Sequence, residues 1–83
     1  MRAVLDASAA VEVALNRGRA LEFAGTLGEA DVVLAPDLLA AEVTNVFWKY
    51  HQFNNLPLAD CERALAAALA LPDVFVPGKE LSR

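Results

Sequence analysis

The sequence is poor in the residues that most metal and redox chemistry relies on. It holds one cysteine, Cys61, and one histidine, His51. A single thiol excludes an internal disulfide and suits a reducing compartment. Cys61 and His51 have no partners at ligand spacing, so they make no zinc pattern. Long uncharged runs are missing too. The longest alanine-leucine stretch, Ala64 to Leu71, is bounded by Glu62, Arg63 and Asp73. It falls well short of the roughly 18 residues of a membrane span. The start reads poorly as a signal peptide, because it has almost no charged n-region and Asp6 stands where the apolar segment would be. The expectation is a cytoplasmic protein.

Positive charge is scarce. Seven Lys and Arg face eleven Asp and Glu, for a net charge of −4. Bases such as Arg2, Arg17, Arg19, Lys49 and Arg63 are scattered. That argues against nucleic-acid binding by bulk charge, which needs clustered cations to neutralise phosphates. A nucleic-acid substrate would have to be met through a metal ion or a partner protein. No Gly-rich phosphate loop is present, and nothing resembles a serine or cysteine triad.

What is abundant is apolar material. The chain is 57% hydrophobic over 83 residues, which is one small domain. Its mean hydropathy is positive. A small soluble sphere needs less. The surplus either meets a partner chain or belongs to a larger core.

Apolar patterning divides the chain into seven elements. Arg2 to Leu5 reads as a short strand. "DASAAVEVALN" reads as a helix with Ser8 as a plausible N-cap, broken at Asn16 and Gly18. "RALEFAGTLGEA" is a second short helix, and "DVVLAP" a buried strand. "PDLLAAEVTNVFWKYHQF" is the clearest helix. Pro36 suits its first turn, and Leu39, Val43, Val46, Phe47 and Tyr50 make one stripe. "NNLP" is a turn, "LADCERALAAALAL" a helix and "DVFVP" a third strand. "GKELSR" reads as the opening of a further helix. Short strands alternating with helices predict an α/β domain with parallel strands joined by right-handed crossovers.

Two carboxylates stand out. At about 100° per residue, Glu42 falls between Leu38 and Val46, inside the apolar arc. Glu is rarely buried without a partner, since losing its hydration costs several kcal/mol. Asn45, three residues on, can hydrogen-bond beside it. Asp6 ends the first strand, and ligands of open parallel sheets bind outside the strands' carboxyl ends. Two converging carboxylates repel unless a cation compensates, and a hard divalent ion such as Mg²⁺ suits carboxylate oxygens. Blander readings stand beside this one. Asp6 can simply cap the following helix, and Glu42 can sit at the border of its stripe and reach water or Lys49. Asp37 fits a structural place in the first helical turn. His51 falls opposite the stripe, Cys61 packs as a small apolar residue, and Glu12, Glu22, Glu29 and Glu62 fit solvated faces. Trp48 lies off the main arc, either exposed for a partner or covering a neighbouring helix.

"VLDASAAVEVAL" and "LAPDLLAAEVTNVFWKYH" together resemble two motifs of the PIN-domain ribonuclease family. The first is a strand with D-x-S and a helix. The second is a strand, a Pro, and a helix carrying Glu with Asn three residues later. The chain is most similar to VapC-like toxins of bacterial toxin–antitoxin modules, and the resemblance runs along essentially its whole length. It implies a three-layer α/β/α fold with a parallel central sheet. It implies that Asp6 and Glu42 hold Mg²⁺ or Mn²⁺ for hydrolysis of an RNA phosphodiester, with Ser8 and Asn45 supporting the site. It implies a cognate antitoxin as partner. It also implies a third acid, often a fourth, on a later helix and strand end. Asp73 and Glu80 do not match these positions, and Asp60 and Glu62 lie on a different helix. The chain thus corresponds to about the first two-thirds of such a domain, without its C-terminal strands and helix and with half its acidic site. That would leave the first strand as an edge and bare apolar faces, so a homodimer or higher oligomer is expected, with little activity from this chain alone. The alternative reading is a non-catalytic interaction module. A phosphotransfer domain of the haloacid-dehalogenase-like kind would want a second Asp where Ser8 stands.

Overall fold

The computed structural model of the chain describes residues 1–77. The order is β1 (Arg2–Val4), α1 (Ala7–Ala14), α2 (Ala20–Glu29), β2 (Val32–Pro36), α3 (Leu39–Phe53), α4 (Leu58–Leu69) and β3 (Val74–Val76). Each strand is short, and each is separated from the next by a helix pair. Such separation favours parallel pairing. The three strands form one parallel sheet in the order β1-β2-β3. The "GKELSR" helix opening lies outside the described residues.

Two boundaries differ from the sequence reading. Pro36 is the last residue of β2, paired with Val76, and not part of the first turn of α3. Asp37 precedes the helix as well. Its amide donates to the Val76 carbonyl at 2.7 Å and so prolongs the sheet by one rung. Proline cannot donate to a ladder, but it can close a strand, and that is its use here. The second difference is the cap of α1. Asp6, not Ser8, is the N-cap, with extended backbone and a side chain that accepts the Ala9 amide. Ser8 sits inside the first turn.

The core lies on one face of the sheet. Leu5, Val33 and Ala35 meet Ala10 and Val11 of α1, Leu39, Val43 and Phe47 of α3, and Cys61, Ala64 and Ala68 of α4 in one buried cluster. Small residues on α1 and α4 let these helices approach each other closely. Phe47 is the largest fully buried side chain. Burying a Phe contributes about 1.5–3 kcal/mol relative to leaving it exposed. Cys61 behaves as expected, packed in the core with its Sγ 3.2 Å from the Phe47 carbonyl oxygen.

The other face of the sheet is open. In-register partners of a parallel sheet point the same way, and Val4 pairs with Leu34, which pairs with Val74. These three form an apolar row across all three strands. Val4 is 59% exposed and Val74 44%, and none of the three joins the core cluster. Among the described residues the sheet therefore carries a helical layer on one side only.

Candidate functional site

β1 ends at Val4, and Leu5 leads from it into Asp6. The Asp6 carboxylate spends Oδ1 on two donors, the Ala9 amide at 2.8 Å and the Ser8 hydroxyl at 3.3 Å. The structural role weighed for Asp6 is thus real. It leaves Oδ2 without a partner among the described residues, so capping and ligand binding do not compete for the same oxygen.

Asp6 opens onto a groove of about 540 Å³ whose polar lining is Asp6, Ser8, Glu12, Arg17, Glu42 and Tyr50. The groove lies between the start of α1, the turn after it and the outer edge of α3. Glu42, Val46 and Tyr50 stand at i, i+4 and i+8 on α3, which is one column along the helix. The fold therefore brings Asp6 and Glu42, 36 positions apart in the chain, to one surface.

Glu42 is exposed, not buried. The buried stripe is Leu39, Val43 and Phe47, and Glu42 lies to its side. Its neighbour one turn back, Leu38, is at the helix start and 63% exposed, so it does not extend the core to Glu42. Glu42 is therefore set apart not by burial but by the groove it shares with Asp6. Asn45 is not in that groove. It is exposed and lines a separate, more apolar depression with Ala40, Ala41, Thr44 and Trp48. Trp48 is 53% exposed there. His51 is half-buried and not opposite the core. Its Nδ1 lies 2.8 Å from the Leu56 carbonyl oxygen, which ties α3 to the turn before α4. Asp73 spends its carboxylate on the sheet, accepting the Val33 amide at 2.7 Å.

Three residues of the groove do not stand out in the sequence as site residues: Glu12, Arg17 and Tyr50. Glu12 is half-buried and not on a solvated face. Its Oε2 accepts the Arg19 amide at 3.3 Å, and its Oε1 lies 3.9 Å from Arg17 Nε. Ser8 and Glu12 are i, i+4 on α1, so their spacing carries a signal. The Arg17 guanidinium lies over the Tyr50 ring at 4.7 Å from its centroid and donates to the Tyr50 hydroxyl. The turn that carries Arg17 is tight. Asn16 has φ 51° and Gly18 φ 57°, both left-handed, on either side of it. A Cβ on Gly18 would collide with Glu12 Oε2, so glycine also makes room for that carboxylate. Arg19, by contrast, is committed elsewhere. It is hydrogen-bonded to Glu22, and the bond and the attraction between the charges raise the Arg19 pKa and lower that of Glu22.

Three carboxylates, Asp6, Glu12 and Glu42, against one guanidinium leave the groove with a formal charge of −2. Such a surface attracts divalent cations, and its carboxylates repel phosphate where no cation stands between them. Among the described residues, no group of three or more His, Cys, Asp and Glu side chains is placed to enclose a metal ion. No helix among them is long and apolar enough to cross a membrane. Comparison of the chain with protein-family models and with curated proteins gives no match.

Proposed function

We propose that the groove is a metal-assisted site for hydrolysis of an RNA phosphodiester, in a PIN-like domain of the VapC-like toxin kind. The observation that carries this reading is the shared groove of Asp6 and Glu42 at the carboxyl end of β1, with Asp6 Oδ2 and the Glu42 carboxylate unpartnered among the described residues. The donors are all carboxylate oxygens, which fits a hard cation. Mg²⁺ in particular is usually held by one or two carboxylates, with waters and substrate phosphate completing its shell. Asp6 and Glu42 would hold it. When bound, it supplies Lewis-acid charge at a phosphoryl oxygen and lowers the pKa of a coordinated water. Ser8 fixes the rotamer of Asp6 through Oδ1 and leaves Oδ2 facing its own task. Asn45, on a different depression, supports the site only indirectly, through α3.

Two carboxylates make a sparse site, so the isolated chain binds Mg²⁺ or Mn²⁺ weakly and cleaves RNA slowly at most. Further acids, a second helical layer on the open sheet face and the three-layer fold belong to the complete domain that this reading implies. So does a cognate antitoxin, whereas the chain by itself forms a homodimer or higher oligomer that covers the apolar row. The test is cleavage of a labelled RNA by the purified chain with Mg²⁺. Slow cleavage that needs the metal and disappears in Asp6→Asn and Glu42→Gln supports the reading. Cleavage at undiminished rate in both variants would overturn it.

The open face favours a second reading. The apolar row of Val4, Leu34 and Val74 suits a chain whose work is assembly, with no chemistry in the groove. In that case Asp6→Ala and Glu42→Ala leave assembly unchanged and no metal-dependent cleavage is found.

A further inference from the structure

Arg17 is the one cation among the residues that line the groove, and its surroundings orient it without saturating it. Among the described residues its guanidinium makes one hydrogen bond, from a terminal nitrogen to the Tyr50 hydroxyl. Its contact with Glu12 is 3.9 Å, an ion pair too long to be a hydrogen bond. A guanidinium has five N–H donors in a planar fork suited to phosphate. Most of that fork is therefore available, while the Tyr50 ring beneath it limits its motion. The two left-handed residues around Arg17 and the close seat of Glu12 over Gly18 fix the turn that presents it. Tyr50 stands two turns of α3 beyond Glu42, ~12 Å along the helix axis.

We propose that Arg17 grips a backbone phosphate flanking the one presented to Asp6 and Glu42, with the Tyr50 ring as its platform. This rests on the reading of the groove as an RNA site. It gives the groove two parts. The carboxylates address the scissile phosphate through a cation, and Arg17 sets the register of the strand by a direct contact. Glu12 pairs with Arg17 while the groove is empty.

The test is fluorescence anisotropy with a 5′-fluorescein-labelled hexauridylate, in EDTA and in Mg²⁺, over a range of salt. In EDTA, Arg17→Ala weakens binding about tenfold, as expected for loss of a charge-assisted contact. It also lowers the salt slope by about one. Arg17→Lys restores the slope but only part of the affinity, because it keeps the charge and loses the fork. Glu42→Gln goes the other way and binds at least as tightly, since it removes repulsion. These opposite signs separate a phosphate contact from general damage to the fold. If hexauridylate binds and Arg17→Ala matches the wild type in affinity and slope, the proposal is overturned and the RNA reading stands. If hexauridylate does not bind but inorganic pyrophosphate shifts the Arg17 Nε–H resonance, the phosphate grip stands and the RNA reading falls. If neither probe binds, both are overturned.

Discussion

Ser8 donates its hydroxyl to Asp6 Oδ1, the same oxygen that takes the Ala9 amide, and Oδ2 of Asp6 is left unpartnered among the described residues. One side chain thus serves helix α1 and the groove with different oxygens. The two roles separate by substitution. Asp6→Asn keeps a good N-cap, so urea unfolding shifts by only about a few tenths of a kcal/mol, while Mn²⁺ binding measured by calorimetry is lost. Asp6→Ala loses both, with about 1 kcal/mol of stability gone. Equal losses of stability in the two variants would show that charge, not capping, is what Asp6 gives the fold.

Gly18 tests the turn behind Arg17. Its φ of 57° and the close approach of Glu12 Oε2 to the place a Cβ would take make Gly18→Ala costly on two counts. The left-handed backbone costs about 1–2 kcal/mol for an L-residue. The Glu12 carboxylate, at the end of a flexible side chain, moves aside more cheaply. Thermal unfolding by circular dichroism should show the loss. Asn16→Gly, at φ 51°, should leave stability within about 0.5 kcal/mol, since glycine relieves the same strain.

The core is thin, and Phe47 holds it together. It is 1% exposed, between the sheet and α4. Phe47→Ala should lower the unfolding free energy by about 3–5 kcal/mol, which is most of the margin of a domain of this size. The denaturation midpoint reports it. A loss under about 1 kcal/mol would mean that α3 is not anchored as described.

The open sheet face should drive self-association. Val4 lies both in the apolar row and on the edge strand β1. A lysine there places charge on the face and on the edge, a common way for proteins to block strand pairing. In sedimentation velocity the wild type should form dimers or larger species, and Val4→Lys should shift the population to monomer. A wild type that stays monomeric as its concentration is raised would count against the oligomer.

Much of the fold is legible in the sequence because its signals are local. The β-branched pairs and alternations at Val32–Val33 and Val74–Val76, the stripe from Leu39 to Tyr50 and the breakers at Gly18 and Asn54–Asn55 place all seven elements in order, and separation by helix pairs gives parallel strands. Pro36 is ambiguous, because proline closes a strand as readily as it opens a helix. The cap of α1 is ambiguous too, because Asp6 and Ser8 are both good caps and only the backbone decides between them. Asp6 and Glu42 are legible as acids out of place, and they do share a groove. Burial is the wrong reason for Glu42, because a helical wheel has no helix start and Leu38 is exposed there. Arg17 is not legible at all. It sits in a turn without periodicity, and its partner Tyr50 is 33 residues away.

Paramagnetic broadening of the amide spectrum by substoichiometric Mn²⁺ tests directly whether Asp6 and Glu42 share one metal site. The resonances around Asp6 to Ser8 and Glu42, the residues that flank the proposed cation, should be lost selectively. Asp6→Asn or Glu42→Gln alone should remove the effect. Broadening centred elsewhere, or unchanged in both variants, would contradict a shared metal site and leave the groove without its proposed chemistry.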